Sequence, residues 1–157
     1  MGNSGVVKSG EIQIMSADKG IYHSEFNHSK DEAVELLQIW VIPDRNDVEP
    51  RYDQIYWNKS KTIDTLYTVV SPDKSGGESW IYQDAWFNLV TIQRNSFVKY
   101  ELNKNTSGIY VFVINGDIET AGERLGKRDA IGLSGIEGTG LKAHEESFVL
   151  IMEVPLT

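Results

Sequence analysis

The apolar residues of this chain come in short runs rich in Val, Ile, Tyr, Phe and Trp, and Gly, Pro or polar clusters cut each run before it reaches helix length. Such runs pack as strands, because β-branched and aromatic side chains fit a pleated surface. Helix signals are weak throughout. Glu-Ile-Gln-Ile-Met (11–15) alternates polar and apolar, as a half-buried strand does. Residues 28–35 are polar and read as a loop or one helical turn. Leu-Leu-Gln-Ile-Trp-Val-Ile (36–42) is nearly continuous, ends at Pro43 and reads as a buried strand. Residues 44–48 are turn-like, and 49–54 form an extended connector.

A second block follows. Strand candidates lie at 65–70, 80–82, 85–93, 97–102, 109–114, 117–120, 128–133 and 148–154, with a turn cluster at 71–77. Asn115-Gly116 is the strongest short-range hairpin signal. Short strands with turns roughly every 8 to 12 residues indicate an all-β sandwich or barrel. There is also an internal echo. Runs 36–43 and 149–155 both end in Pro, and each follows a Gly-rich segment preceded by a short strand. This suggests two copies of one β-unit, of which the first has almost nothing upstream.

The length of 157 residues and an apolar fraction of 40% allow a real core. No run is long enough to span a bilayer, and no signal peptide is visible. The absence of Cys excludes disulfides, thiol catalysis and Cys-zinc sites and agrees with a cytoplasmic protein. The net charge of -8, with Lys and Arg scattered, argues against direct nucleic-acid binding.

His23-Ser-Glu25 is the chemical feature. In an extended backbone, side chains two apart share a face, so an imidazole and a carboxylate project together. That pair suits Fe, Mn, Ni, Cu or Zn. Two donors do not complete a site, which needs roughly three or four. Taken alone, such a pair more often marks a solvent face. Tyr22, Phe26 and Trp40 either line a pocket beside a metal or pack a core, and packing is the favoured reading for Phe26 and Trp40. Arg51 either binds an anion or, as the favoured reading, ties the connector to a barrel. Trp80, Trp86 and Phe87 read as core or interdomain residues. Gly135, Gly138 and Gly140 lack the phosphate-loop order and read as turns.

Gly10-x5-Ser16 followed by Gly20-x2-His23-x3-Asn27 resembles the second motif of the cupin barrel, with Ser in place of Pro and two extra residues before the second Gly. The wider pattern is closer still. Gly-Glu-Ile-Gln-Ile-Met-Ser-Ala, His-Ser-Glu-x-Asn, Leu-x-Gln-Ile-Trp and Pro-Arg-Tyr-Asp-Gln, all within residues 2–54, resemble the pirins, which are bicupins. Asp18 stands where pirins usually have Gly.

The resemblance implies an all-β cupin fold in two parts: a partial N-terminal cupin over 1–55 and a complete C-terminal cupin over 56–157. It implies one divalent metal, iron foremost, with Cu, Ni, Mn or Zn as alternatives. The ligands are a His-x-His pair on an upstream strand plus His23 and Glu25. No His-x-His occurs here, since the other histidines are His28 and His144. The chain is therefore expected to be an N-terminally truncated pirin, with Met1-Gly2-Asn3 falling inside the first barrel. In the second cupin, Ala143 and Glu145 fill the His and Glu slots, so that barrel is expected to be structural.

The implied activity is quercetin 2,3-dioxygenase-like opening of a flavonol with O2. His23 would hold the metal, and Glu25 would bind it and accept the substrate proton. It is expected to be impaired without the upstream pair. The alternative is a non-enzymatic, protein-binding regulatory module. The partial barrel is expected to dock on the second cupin or on another chain.

Overall fold

The computed structural model describes residues 4–17 and 20–156. Met1-Gly2-Asn3 and Asp18 lie outside the described residues.

The architecture is all-β, with one short 3-10 turn at Lys59–Thr62. The chain runs through β1 (Glu11–Ser16), β2 (Arg51–Tyr56), β3 (Tyr67–Ser71), β4 (Ser79–Trp80), β5 (Trp86–Ile92), β6 (Phe97–Glu101), β7 (Ser107–Asn115), β8 (Ile118–Thr120), β9 (Glu123–Leu125), β10 (Ala130–Leu133), β11 (Gly138–Ala143) and β12 (Ser147–Pro155). A six-stranded sheet has the order β10-β7-β12-β5-β3-β4, and a four-stranded sheet the order β6-β11-β8-β9. Strands β1 and β2 pair antiparallel as a separate ribbon, Glu11 opposite Tyr56 and Ser16 opposite Arg51.

The two larger sheets enclose one core. Val90, Ile92, Val111, Val113, Val149 and Ile151 of the six-stranded sheet meet Val98, Ile118, Leu125 and Leu141 of the other. The back of the six-stranded sheet is covered too. There Val69, Phe87, Leu89 and Leu150 form a second cluster, which Ile14 of β1 completes. Strands buried on both faces cannot alternate polar and apolar, and this accounts for the continuous apolar runs at β5 and β12. The β1-β2 ribbon is thus docked on the barrel, as expected for the partial unit.

Three expectations are corrected. Residues 36–42 form no strand: Leu36 is 60% and Trp40 89% exposed, and only Val41 packs inward. A strand needs a ladder partner, and none among the described residues faces this run. The internal echo accordingly survives only in its second member, β12. Asn115-Gly116 makes a tight turn but not a hairpin, because β7 pairs with β10 and β12 while β8 pairs with β9 and β11. The turn carries the chain from one sheet to the other, with Gly116 at φ +104° packed against Ser147. Gly138 and Gly140 lie within strand β11 and are not turn residues. A Cβ on Gly140 would strike the Phe97 ring, and one on Gly138 the Tyr100 carbonyl. Gly135, at φ +68°, is a turn residue as expected.

Candidate functional site

Residues 20–50 join β1 to β2 as an irregular strap on the surface. A few contacts hold it. Glu35 pairs with Arg128 at 2.9 Å, Gln83 Nε2 donates to the Ile42 carbonyl at 2.8 Å, and Asp44 N–H donates to the Tyr82 carbonyl at 2.7 Å. Val48 is buried at its far end.

His23 and Glu25 sit near the start of the strap. Their side chains lie side by side, Nε2 to Oε1 3.8 Å, and are 42% and 46% exposed. Just beyond them the chain folds on itself. The Asn27 side chain donates to the Glu32 carbonyl at 2.7 Å and accepts from Ser29 N–H at 3.1 Å, while Ser29 Oγ accepts from the N–H groups of Asp31 and Glu32. Such side-chain-closed turns are what Asn and Ser favour. Asn27 therefore fixes where the segment carrying the pair ends.

Among the described residues no group of three His, Cys, Asp or Glu side chains converges on one point. His144 is far down the chain in a separate pair, its Nε2 3.4 Å from Glu119. A metal that takes three or four protein donors does not fit the described residues of a single chain.

The aromatic residues of the strap face solvent: Tyr22 is fully exposed, Phe26 is 86% and Trp40 89% exposed. Packing, the favoured reading for Phe26 and Trp40, is overturned, for the same lack of a facing layer that leaves 36–42 unpaired. Arg51 ties β2 to the barrel, as favoured. Its guanidinium donates to Asp53 Oδ2 at 2.8 Å, to Ser79 Oγ at 3.4 Å and to the Trp80 carbonyl, and lies over the Trp80 ring. These contacts line an open groove of about 400 Å3 with Lys74 and Glu78. Both terminal nitrogens of the guanidinium donate within the fold, which weakens the anion-binding reading.

In the barrel formed by the two larger sheets, the positions set against His23 and Glu25 hold no such pair. Ala143 is fully buried and Glu145 exposed. One polar feature inside it escaped the sequence. Glu153, fully buried, accepts from Tyr100 Oη at 2.8 Å, from Asn103 N–H and Nδ2 at 2.8 Å, and from Lys104 N–H at 2.9 Å. A lone carboxylate inside the apolar run 148–154 was the available signal. Burial, and then the Glu153 contact, push the Tyr100 phenol far above its ordinary value.

The fold and this layout can be set beside known proteins. Residues 68–154 match the model of the quercetinase C-terminal cupin domain, and residues 1–41 match the pirin model. The chain belongs to the pirin family. A quercetin 2,3-dioxygenase of Escherichia coli K12 is 30% identical over 159 residues, covering 99% of this pirin chain and 65% of the relative. The crystal structure of YhhW from Escherichia coli superposes with TM-score 0.90 at 28% identity, over 100% of this chain and 65% of that one. A second YhhW structure, in complex with nickel(II), gives TM-score 0.89 at 28% identity, over 99% and 66%. The chain spans just under two thirds of the length of these relatives. The cupin fold expected from the sequence is shown.

Proposed function

We propose that this chain is a quercetin 2,3-dioxygenase-like pirin in which His23 and Glu25 are two of the ligands of one divalent metal. The observation that supports it most directly is the 3.8 Å approach of the two side chains near the start of the strap. In this reading residues 1–55 belong to a first, partial cupin, and 56–157 form a second that acts as scaffold. The scaffold role follows from the apolar interior of the second barrel and from Ala143 at the position where the first unit has His23. Family membership extends the reading to oxygen-dependent opening of a flavonol, with iron or nickel as the metal.

The donor count sets its limit. His23 and Glu25 are two of the roughly three or four donors that a complete site takes, and binding at such a site contributes on the order of 10 kcal/mol. The test is loss of quercetin absorbance under air with added Fe(II) or Ni(II), run beside Glu25→Gln. Turnover comparable to that of the Escherichia coli relative, and unchanged in the variant, would exclude the assignment of Glu25.

A second reading, a non-enzymatic interaction module, is favoured by the apolar strap. Val34, Leu36, Ile39, Trp40 and Ile42 are each more than two fifths exposed, and contiguous exposure of this kind marks contact surfaces. Binding of a protein partner that survives His23→Ala and is lost in Trp40→Ser would favour it over the metal reading.

A further inference from the structure

We infer that Asn115 is a site of self-modification, at which the side-chain amide is lost and the link to Gly116 is rebuilt through the side chain. Asn115 is an exposed residue that ends β7, and Gly116 follows in the turn that carries the chain from one sheet to the other. Every other asparagine of the sequence is followed by a residue with a Cβ. Two features leave this pair free to react. An asparagine in a turn commonly holds its own side chain by accepting from the N–H two residues on. Here that N–H, of Asp117, donates instead to Ser147 Oγ at 2.9 Å. Gly116 has no Cβ to screen its nitrogen, and the fold forbids one, since at φ +104° it would strike Ser147.

The chemistry needs only water. Gly116 N attacks Asn115 Cγ, the new N–Cγ bond replaces Cγ–Nδ2, and ammonia leaves with the proton of the Gly116 N–H. Water then opens the succinimide ring at one of its two carbonyls. Opening at Cγ gives aspartate. Opening at the main-chain carbonyl gives β-linked aspartate, whose backbone runs through Cβ and Cγ and is one carbon longer. That carbon enters a joint held from three sides. His144 N–H donates to the Asp117 carbonyl at 2.9 Å, Asp117 N–H donates to Ser147, and Arg124 holds the Asp117 carboxylate at 2.9 Å. The longer link displaces Asp117 from these partners and loosens β8 from β11. Either product also adds one negative charge to a chain that carries -8. The turn between the two sheets is thus a clock that marks the age of the folded chain.

The experiment incubates the full wild-type chain in mildly alkaline buffer, once folded and once in urea. Peptide masses report the state of every asparagine, and carboxyl methylation by an isoaspartyl methyltransferase counts the β-linked product. In the folded chain Asn115 is expected to convert before any other asparagine, and the β-linked fraction to melt at a lower temperature than the unmodified one. Asn115→Gln, whose extra methylene takes the carbonyl out of reach of Gly116 N, is expected to react at least about tenfold more slowly. Asn115→Asp carries the charge without the longer backbone and is expected to melt as the wild type does. Asn115 left intact in the folded chain, over a time in which it converts in urea, would overturn the proposal by showing that the turn keeps Gly116 N away from Cγ. A β-linked fraction that melts with the unmodified chain would overturn the loosening of β8.

Discussion

Arg51 lies over the Trp80 ring, its guanidinium carbon 4.4 Å from the centroid, and the same side chain donates to the Trp80 carbonyl. One residue therefore joins the β1-β2 ribbon to the edge of the six-stranded sheet by a cation–π contact and a hydrogen bond together. Asp53 strengthens the joint by pairing with Arg51 and accepting from Ser79 Oγ. The ribbon is also held by apolar packing, through Ile14 and its neighbours. The side chain of Arg51 is 17% exposed, so solvent screens this pair less than a surface one.

Arg51→Ala is expected to lower stability by about 1–3 kcal/mol, since it removes a cation–π contact and leaves Asp53 half-paired. Arg51→Lys keeps the charge but not the planar fork, and recovers less than half of the loss. Urea unfolding monitored by fluorescence measures both. A lysine variant as stable as the wild type would mean that charge alone holds the joint.

Glu153 and Tyr100 form the barrel's internal anchor. Glu153→Gln places an amide N–H₂ against the donors of Asn103, Lys104 or Tyr100 and is expected to cost roughly 2–4 kcal/mol. Tyr100→Phe removes one donor and costs about 1–2 kcal/mol. Because the folded chain raises the Tyr100 phenol above its ordinary value of 10.0, it keeps that proton where the unfolded chain has released it. The stabilisation is complete below about pH 10 and is lost progressively as the pH rises beyond it. Denaturation midpoints between about pH 9 and 11 should fall more steeply for the wild type than for Tyr100→Phe. Parallel slopes would show that the phenol is not held in the folded chain.

How far the sequence was legible follows from which interactions are local. Strands β3, β5, β7, β10 and β12 were readable because their apolar runs and turn signals lie within the segments themselves. Short β9 has the sequence Glu-Arg-Leu and carries no period to detect. Strand β11 was masked by Gly138 and Gly140, which serve there as close-approach residues. The route from β7 to β8 was misread because Asn-Gly specifies a turn and not the sheet that the next strand joins. Residues 36–42 were misread for the opposite reason: their local pattern is that of a strand, and the partner that would pair with them is not among the described residues. At the candidate site, spacing alone brought His23 and Glu25 together. Glu153 was missed because its partners Tyr100, Asn103 and Lys104 lie some fifty residues away.

Three glycines should rank by what their Cβ would meet. Gly116→Ala combines a φ of +104° with contact on the Ser147 backbone, and is expected to cost the most, about 3 kcal/mol or more. Gly138→Ala meets the carbonyl of Tyr100, which cannot move without breaking the β6-β11 ladder, and should cost about 2 kcal/mol. Gly140→Ala meets only the ring of Phe97, which is 64% exposed and can swing away, at a cost of about 1 kcal/mol or less. Melting temperatures of the three variants give the order directly. If Gly140→Ala proved the most damaging, the Phe97 ring would be fixed over the strand more firmly than its exposure implies.

The strap should open before the barrel does. Its backbone from 21 to 43 lacks ladder hydrogen bonds among the described residues, whereas β5, β7 and β12 are paired on both edges. Local opening free energies follow this density of backbone pairing and burial. Brief chymotrypsin treatment under native conditions is therefore expected to cut after Phe26 and Trp40, both exposed, and to spare Phe87 and Tyr100, both buried. The cleaved protein should keep its far-ultraviolet β signal, because the cluster enclosed by the two larger sheets contains no strap residue. Ion-pair reversal gives a finer check. Arg128→Glu repels Glu35, whose carboxylate Arg128 now holds at 2.9 Å, and should speed the cut after Trp40 while leaving the barrel's unfolding unchanged. Equal cleavage rates in the two proteins would show that the Glu35–Arg128 contact does not restrain the strap.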